Sequence, residues 1–111
     1  MSIKIEIERR FKEPVVPEIL QILDEIRIKA LRVRGYIGGE TAINVDDDRE
    51  VLVFSSWSSA EDWTQWYATE EWKDLEKKLA PHLADPVKVR VFVPAADYEK
   101  KAFLENSTIS K

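Results

Sequence analysis

The stretch VLVFSSWSSAEDWTQWYATEEW, residues 51–72, decides the fold. Its first part alternates as a strand does, because Val51 and Val53 fall on one face and Leu52 and Phe54 on the other. Its second part has the spacing of two short helices, and the whole stretch contains every tryptophan of the chain. A strand followed by amphipathic helices indicates an α+β domain with large aromatic side chains facing a sheet.

Two capping signals divide the helical part of this stretch. Ser58 and Glu61 have the spacing of a capping box and predict a helix that runs through Tyr67. Thr69, followed by two glutamates, predicts the start of a second helix that runs to Pro81. We therefore expect two short helices with a brief break between them.

Toward the N terminus, residues 3–11 alternate like a strand with one buried face. Isoleucines at 3, 5 and 7 fall on the same side as Phe11, and charged residues fall on the other. Arg9 interrupts the apolar side. We expect it to mark the end of the buried part of the strand, and the alternative is that it points a cation into an interior pocket.

The remaining elements follow from periodicity and turn residues. Pro17 opens a helical pattern that runs to Leu31, and Gly35 is the expected stop. The segments YIGGETAINV and REVLVFSSW predict two strands joined by the aspartates 46–48. These aspartates lack the Gly and Glu of a calcium loop, so we expect a solvated hairpin turn. PVKVRVFV predicts the last strand.

The order strand, helix, strand, strand, helix, helix, strand is that of a ferredoxin-like α+β sandwich, a four-stranded antiparallel sheet with helices on one face. We place this domain at residues 1–94 and a tail at 95–111, with a helical turn around 98–104 and a frayed end. The strand from Val51 is apolar on both faces, and helices cover only one. The chain is therefore expected to pair its open face with a second copy, as a homodimer.

Composition excludes several classes of function. The chain has 111 residues, a net charge of -4 and no cysteine. An acidic chain without basic clusters is a poor partner for nucleic acid, and the missing thiols remove disulfides and thiolate metal sites. A single histidine and three glycines without phosphate-loop spacing argue against a bound metal or nucleotide cofactor. Without a signal or membrane-spanning pattern, we expect a cytoplasmic protein that does not enter membranes.

The chain resembles the antibiotic biosynthesis monooxygenase family of dimeric α+β barrels. The similarity rests on GYIGGETAI from Gly35, VLVFSSWSSAEDWTQWYATEEW from Val51 and LEKKLAPHLADPVKVRVFV from Leu75, and it spans about the first 94 residues. The resemblance implies oxygenation of electron-rich phenols or quinols without flavin, metal or nicotinamide. Such chemistry needs a dry cavity, a flat aromatic wall and a polar group that stabilises the substrate anion.

The resemblance also implies which residues bind a ligand. Trp66 matches the tryptophan at the cavity wall of the family's haem-degrading branch, so we expect Trp66 to line the pocket. Glu76 matches the iron-binding histidine of that branch. A glutamate is a poor substitute for imidazole, and the first strand lacks the asparagine of those enzymes, so haem degradation is disfavoured. Glu76 is instead a candidate base for a phenolic proton, and the alternative is a solvated glutamate on a helix face.

Four further residues are candidates for the site. Trp63 shares a helix face with Trp66 and Tyr67 that we expect to face the sheet, where the alternative is plain core packing. Tyr36, with Arg34, is expected at a cavity mouth or at the dimer seam. Arg9, if it points inward, would face a substrate oxyanion. His82 is a candidate proton carrier, and the alternative is a favourable charge at a helix C terminus.

These observations leave three hypotheses of function. The first is a homodimeric, cofactor-independent monooxygenase of a small electron-rich aromatic such as a quinol. The second is a non-catalytic dimeric binding or interaction module in which the tryptophans only fill the core. The third, which is disfavoured, is haem binding.

Overall fold

A computed structural model of the protein describes residues 1–98. The elements are β1 (Ile3–Arg10), α1 (Pro17–Ala30), β2 (Tyr36–Asn44), β3 (Asp47–Trp57), α2 (Ala60–Tyr67), α3 (Glu70–Leu79), a 3₁₀ turn (Ala80–His82) and β4 (Lys88–Phe92). The predicted order of elements is confirmed. The helical turn expected around 98–104 lies, apart from Tyr98, outside the described residues, as does the end of the tail.

The sheet has the strand order β2-β3-β1-β4, and every neighbouring pair is antiparallel. This is the ferredoxin-like arrangement that the order of elements predicts. In the register, Ile7 of β1 lies opposite Val53 of β3 and Val89 of β4. Apolar side chains of the three strands therefore share one face, and the helices pack on that face.

One apolar core lies between the helices and the sheet. Trp57 of β3, Trp63 and Trp66 of α2, and Trp72 of α3 are all buried in it. Among residues 1–98, the buried apolar residues are Ile3, Ile5, Ile7, Phe11, Ile19, Leu23, Ile26, Ala30, Val51, Trp57, Trp63, Trp66, Trp72, Leu75 and Leu79. Aromatic side chains from three elements thus meet in a single cluster, which fixes how α2 and α3 lie on the sheet.

The approach of β2 to helix α2 depends on Gly35. Its φ is +88°, a conformation that residues with a side chain disfavour, and a Cβ atom there would overlap a carboxylate oxygen of Asp62. Ser58 donates its backbone N–H to the carbonyl of Gly35 at 2.7 Å. The chain therefore needs a residue without a side chain at this point. Gly35 is not the stop of the first helix, as expected from the sequence, because α1 ends at Ala30 with Leu31 as its C-cap, and Gly35 forms the turn into β2.

Two local predictions are wrong by one or two residues. The N-cap of α2 is Ser59 and not Ser58, because the Ser59 hydroxyl accepts the N–H of Asp62 at 3.1 Å. The Asp62 carboxylate in turn accepts from that hydroxyl at 3.0 Å. The β2–β3 turn is residues 45–46, and Asp47 and Asp48 already belong to β3. The predicted cap at Thr69 is confirmed, since its hydroxyl accepts the N–H of Trp72 at 3.2 Å.

The sheet face away from the helices carries both charges and apolar groups. Glu6 pairs with Arg90, and Glu8 pairs with Lys88 at 3.7 Å. Phe54 is 37% exposed on the same face, beside a depression of about 400 Å³ where Gly38 has open space above its Cα. The outer face is therefore less apolar than the sequence pattern suggests, with aromatic groups set among ion pairs.

Candidate functional site

Arg9 lies within strand β1 and points into the protein. It pairs in register with Val51 of β3, and only 1% of it is exposed. The expectation that Arg9 marks the frayed end of the buried strand is therefore wrong. The alternative holds, because the alternation of β1 continues through Arg9 to Phe11 and places a guanidinium among apolar side chains.

Glu76 of α3 is the ion partner of Arg9. The Nη2 group of Arg9 donates to Oε1 of Glu76, whose side chain is 21% exposed. The Arg9 guanidinium carbon also lies 5.9 Å from the ring centroid of Trp72. The predicted alternative of a solvated glutamate is thus wrong, since Glu76 is largely buried and forms an ion pair with the buried Arg9.

Helix α3 positions this pair through its cap and its spacing. Thr69 fixes the start of the helix, and residues 72 and 76 lie four apart on one face. Leu75 and Leu79 are buried against the sheet and set the rotation of the helix. Trp72 and Glu76 therefore stand side by side above β1, where Arg9 reaches both.

An interior cavity lies beside Arg9, between the helices and the sheet. Its volume is about 30 Å³, and its lining includes Arg9, Tyr36, Trp63, Trp66 and Trp72. One buried water needs about 10–15 Å³, so this cavity has room for about two waters. The aromatic side chains that sequence reasoning assigned to a ligand pocket thus come together, and in this structure they nearly fill the space that they surround.

The Nε atom of Arg9 is buried without a hydrogen-bond partner among the described residues. A buried donor of this kind costs free energy unless a water or a ligand accepts from it. The cavity that Arg9 lines is large enough to hold such an acceptor. Within the Arg9 guanidinium, Nη2 donates to Glu76, and Nε is available to donate to a water or another small polar acceptor.

A larger groove lies on the other side of Trp72, between α3 and β4. Its volume is about 520 Å³, within the range of about 300–1,000 Å³ that is usual for ligand sites. Its walls are made by Tyr67, Trp72, Lys73, Glu76, Lys77, Ala80, Leu83, Val87 and Val89. Glu76 and the largely buried Trp72 thus border an open groove whose volume is enough for a small aromatic molecule.

Tyr67 differs from its predicted position. It was expected to face the sheet with Trp63 and Trp66, but it is 47% exposed. Its ring lies 5.5 Å from Trp72 and 5.3 Å from Trp63, measured between centroids. The physical reason is the short length of α2, which ends at Tyr67 where the chain turns toward α3. Tyr67 therefore forms one end of the groove instead of core.

Tyr36 packs edge-on against Trp57, with ring centroids 5.2 Å apart. Burial raises the pKa of the Tyr36 hydroxyl, and the positive charge of Arg27 lowers it by a smaller amount. Tyr36 therefore lines the interior cavity as a neutral phenol. Arg34, expected near it, lies instead along a separate surface cleft with Lys29.

His82 is not among the residues that line the cavity or the groove. It is exposed, ends the 3₁₀ turn after α3, and its backbone carbonyl accepts the N–H of Lys12 at 2.9 Å. The structure thus brings together Arg9, Glu76 and the aromatic residues but not His82. Its position follows the alternative drawn from the sequence, a histidine in the last turn of a helical segment.

Sequence reasoning missed Trp72, Tyr67, Lys73 and Lys77 as groove residues. A usable signal was present for Lys73 and Lys77, which flank Glu76 on the same helix at spacings of three and one.

Within residues 1–98, no three His, Cys, Asp or Glu side chains gather into a possible metal site. None of the helices described for this chain has the length and apolar character needed to cross a membrane.

Several solved structures have the same fold. A protein of Nitrosomonas europaea superposes with a TM-score of 0.78 at 12% identity, covering 85% of this chain and 90% of that one. Rv0793 from Mycobacterium tuberculosis gives 0.75 at 14% identity, covering 85% and 95%. SnoaB, a cofactor-independent oxygenase from Streptomyces nogalater, gives 0.75 at 11% identity, covering 84% and 92%. At these identities the similarity shows the fold.

No curated protein sequence gives a significant match to this chain. The sequence model of one family, the antibiotic biosynthesis monooxygenases, matches residues 2–78. This range contains β1, α2, all of α3 except its last residue, and the Arg9–Glu76 ion pair. The chain therefore belongs to the antibiotic biosynthesis monooxygenase family.

Proposed function

We propose that this protein is a cofactor-independent monooxygenase of a small electron-rich aromatic, a quinol or polyphenol, and that it acts as a homodimer. The observation that carries the proposal is the Glu76 carboxylate, which borders a groove of about 520 Å³ next to the Trp72 indole in a member of this family. The description of SnoaB as a cofactor-independent oxygenase supports the same chemistry.

The groove supplies the parts that such a reaction needs. The aromatic ring of the substrate lies against Trp72, with Tyr67 and Val89 completing an apolar wall. Glu76 accepts the phenolic proton, which makes the ring a better electron donor. Arg9 holds the Glu76 carboxylate in place from inside the protein and offsets its charge. Arg9 is in this proposal a positioning residue.

The substrate itself supplies the electrons. For a quinol, one quinol and one dioxygen give one hydroxyquinone and one water, so that one oxygen atom enters the ring and the other leaves as water. The quinol is oxidised and dioxygen is reduced, and no other reductant is required. Glu76 carries a proton from the phenol to the departing oxygen, which restores the carboxylate for the next cycle.

The homodimer is proposed from the outer face of the sheet. Phe54 and Phe92 are exposed there, and the depression at Gly38 lies next to Phe54. A two-fold axis through this face would let an aromatic ring of one protomer enter the depression of its partner, because such an interface matches each patch with itself. The two grooves then open on the helix layers, away from the interface.

Oxygen uptake tests the function. Purified protein is supplied with a panel of quinols and anthrones, and oxygen consumption is measured together with the mass of the product. The proposal predicts that one dioxygen molecule is consumed for each product molecule. The product should contain one oxygen atom more and two hydrogen atoms fewer than the substrate. Absence of uptake across the panel, with the protein folded, would overturn it.

One observation favours the non-catalytic binding or interaction module as the second candidate. The interior cavity is only about 30 Å³, because the tryptophans occupy the space between helices and sheet. A module of this kind would bind aromatics in the groove without consuming oxygen. Haem binding remains the disfavoured hypothesis, and titration with haem should give no Soret band shift, since Glu76 is already engaged by Arg9.

A further inference from the structure

The groove between α3 and β4 carries more positive than negative charge. The charged residues among its walls are Lys73, Glu76 and Lys77. The carboxylate of Glu76 is offset by the guanidinium of Arg9, which lies behind it and is buried. The two lysines therefore give the groove a net positive charge that a bound molecule would meet.

The lysines are placed to act together. Residues 73 and 77 lie four apart on α3, so that their side chains leave the helix on the same face. Lys73 reaches Glu70 at 3.9 Å, but both side chains are more than half exposed, and such a surface pair is weak. In the part of the chain that the structure describes, Lys77 has no ion pair within 4.0 Å, whereas Lys78 pairs with Glu25 at 3.6 Å.

We infer that the groove selects an aromatic acid, with the ring on Trp72 and an anionic group, such as a carboxylate, on Lys73 and Lys77. This inference rests on the proposed function and names the substrate class for the same site. A neutral quinol would leave the two ammonium groups without a partner in the groove. An acid instead gains charge-assisted hydrogen bonds at the mouth while its ring keeps the apolar contacts inside.

A matched pair of probes separates charge from shape. Naphthalene carboxylate and the carboxamide of the same substitution pattern have nearly the same size, and neither is a quinol that would be oxidised. Their dissociation constants are measured by calorimetry. We expect the carboxylate to bind about three- to tenfold more tightly at low salt, because exposed ion pairs contribute modestly. The difference should shrink in about 0.5 M NaCl, where screening acts over a few ångströms.

Lysine variants identify the groups responsible. K73Q and K77Q should each reduce the preference for the carboxylate, and the double variant should abolish it. The neighbouring variant K78Q is the control, since Lys78 pairs with Glu25 of α1 and is not among the groove walls. It should keep the full preference.

The outcomes distinguish the two proposals. Equal binding of carboxylate and carboxamide, or an equal effect of K78Q, would overturn the inference, and oxygen uptake with neutral quinols would then leave the proposed function intact. If neither probe binds and no quinol is oxidised, the aromatic site itself fails, and the proposed function falls with it.

Discussion

Arg9 and Glu76 stand 67 positions apart in the sequence and form the ion pair that joins strand β1 to helix α3. Arg9 is buried, and Glu76 lies at the boundary between core and groove. The pair therefore has two tasks that can be measured separately. It fixes α3 on the sheet, and it holds a carboxylate beside the Trp72 indole.

Removing the carboxylate should destabilise the fold. Glu76→Leu leaves the Arg9 guanidinium buried without its partner, and we expect a loss of about 3 kcal/mol in the free energy of unfolding. The double variant R9M/E76L removes both charges and should be clearly more stable than E76L. Urea denaturation measures the wild type, E76L, R9M and the double variant. If E76L leaves the free energy of unfolding unchanged, or if the losses of the two single variants add up to that of the double variant, the ion pair does not hold α3 on the sheet.

Trp66 should behave as a core residue. It is 3% exposed and packs against Trp72 with ring centroids 6.1 Å apart. Trp66→Ala should therefore lower the free energy of unfolding by about 3–5 kcal/mol, as large deletions in cores do. Gln65→Ala, at the exposed neighbouring position, is the control and should cost less than about 0.5 kcal/mol. A cost for W66A as small as that of Q65A would refute the core packing.

The burial of Tyr36 should make the protein less stable at high pH. Burial raises the pKa of Tyr36 above the ordinary value of 10.0, so the folded protein retains this proton longer than the unfolded chain does. The resulting stability is present in full below about pH 10 and declines as the pH rises through the raised pKa. Absorbance titration of tyrosinate should show a late component that Tyr36→Phe removes. Ionisation of Tyr36 at or below its ordinary pKa would contradict the prediction.

Much of the fold could be predicted because alternation and helical spacing are local signals. The isoleucines of β1, the cap at Thr69 and the order of elements all follow from residues close together in the chain. Ser58 and Ser59 have the same hydroxyl, and neither residue alone tells which one accepts the helix N–H. In the structure the Asp62 side chain lies against Gly35, a contact that the local pattern does not contain.

The candidate site was less predictable for the same physical reason. Arg9 looks like a strand end until its distant partner Glu76 is known, because a cation on an apolar face is costly only when it is unpaired. The tryptophan spacing indicates an aromatic cluster, but it does not show how completely the rings fill the space between the helices and the sheet. The groove depends on the placement of β4 beside α3, and Val89 and Trp72 are far apart in sequence.

The proposed dimer can be broken at Phe54. Phe54→Glu places two carboxylates opposite each other across the proposed interface, beside Glu6 and Glu40, so the protein should sediment as a monomer. Ile28→Glu is the control, since Ile28 is 51% exposed on α1, in the helix layer. It should leave the dimer unchanged. A wild-type protein that is monomeric at micromolar concentration would rule out the homodimer.

Glu76→Gln, compared with the wild type in oxygen uptake and in substrate affinity, tests whether Glu76 acts as the base in the groove. The amide can still accept from Arg9 but cannot take a proton, so we expect kcat to fall by about 10²- to 10⁴-fold while the Kd of an aromatic ligand changes little. Oxygen uptake by E76Q at the wild-type rate would contradict it.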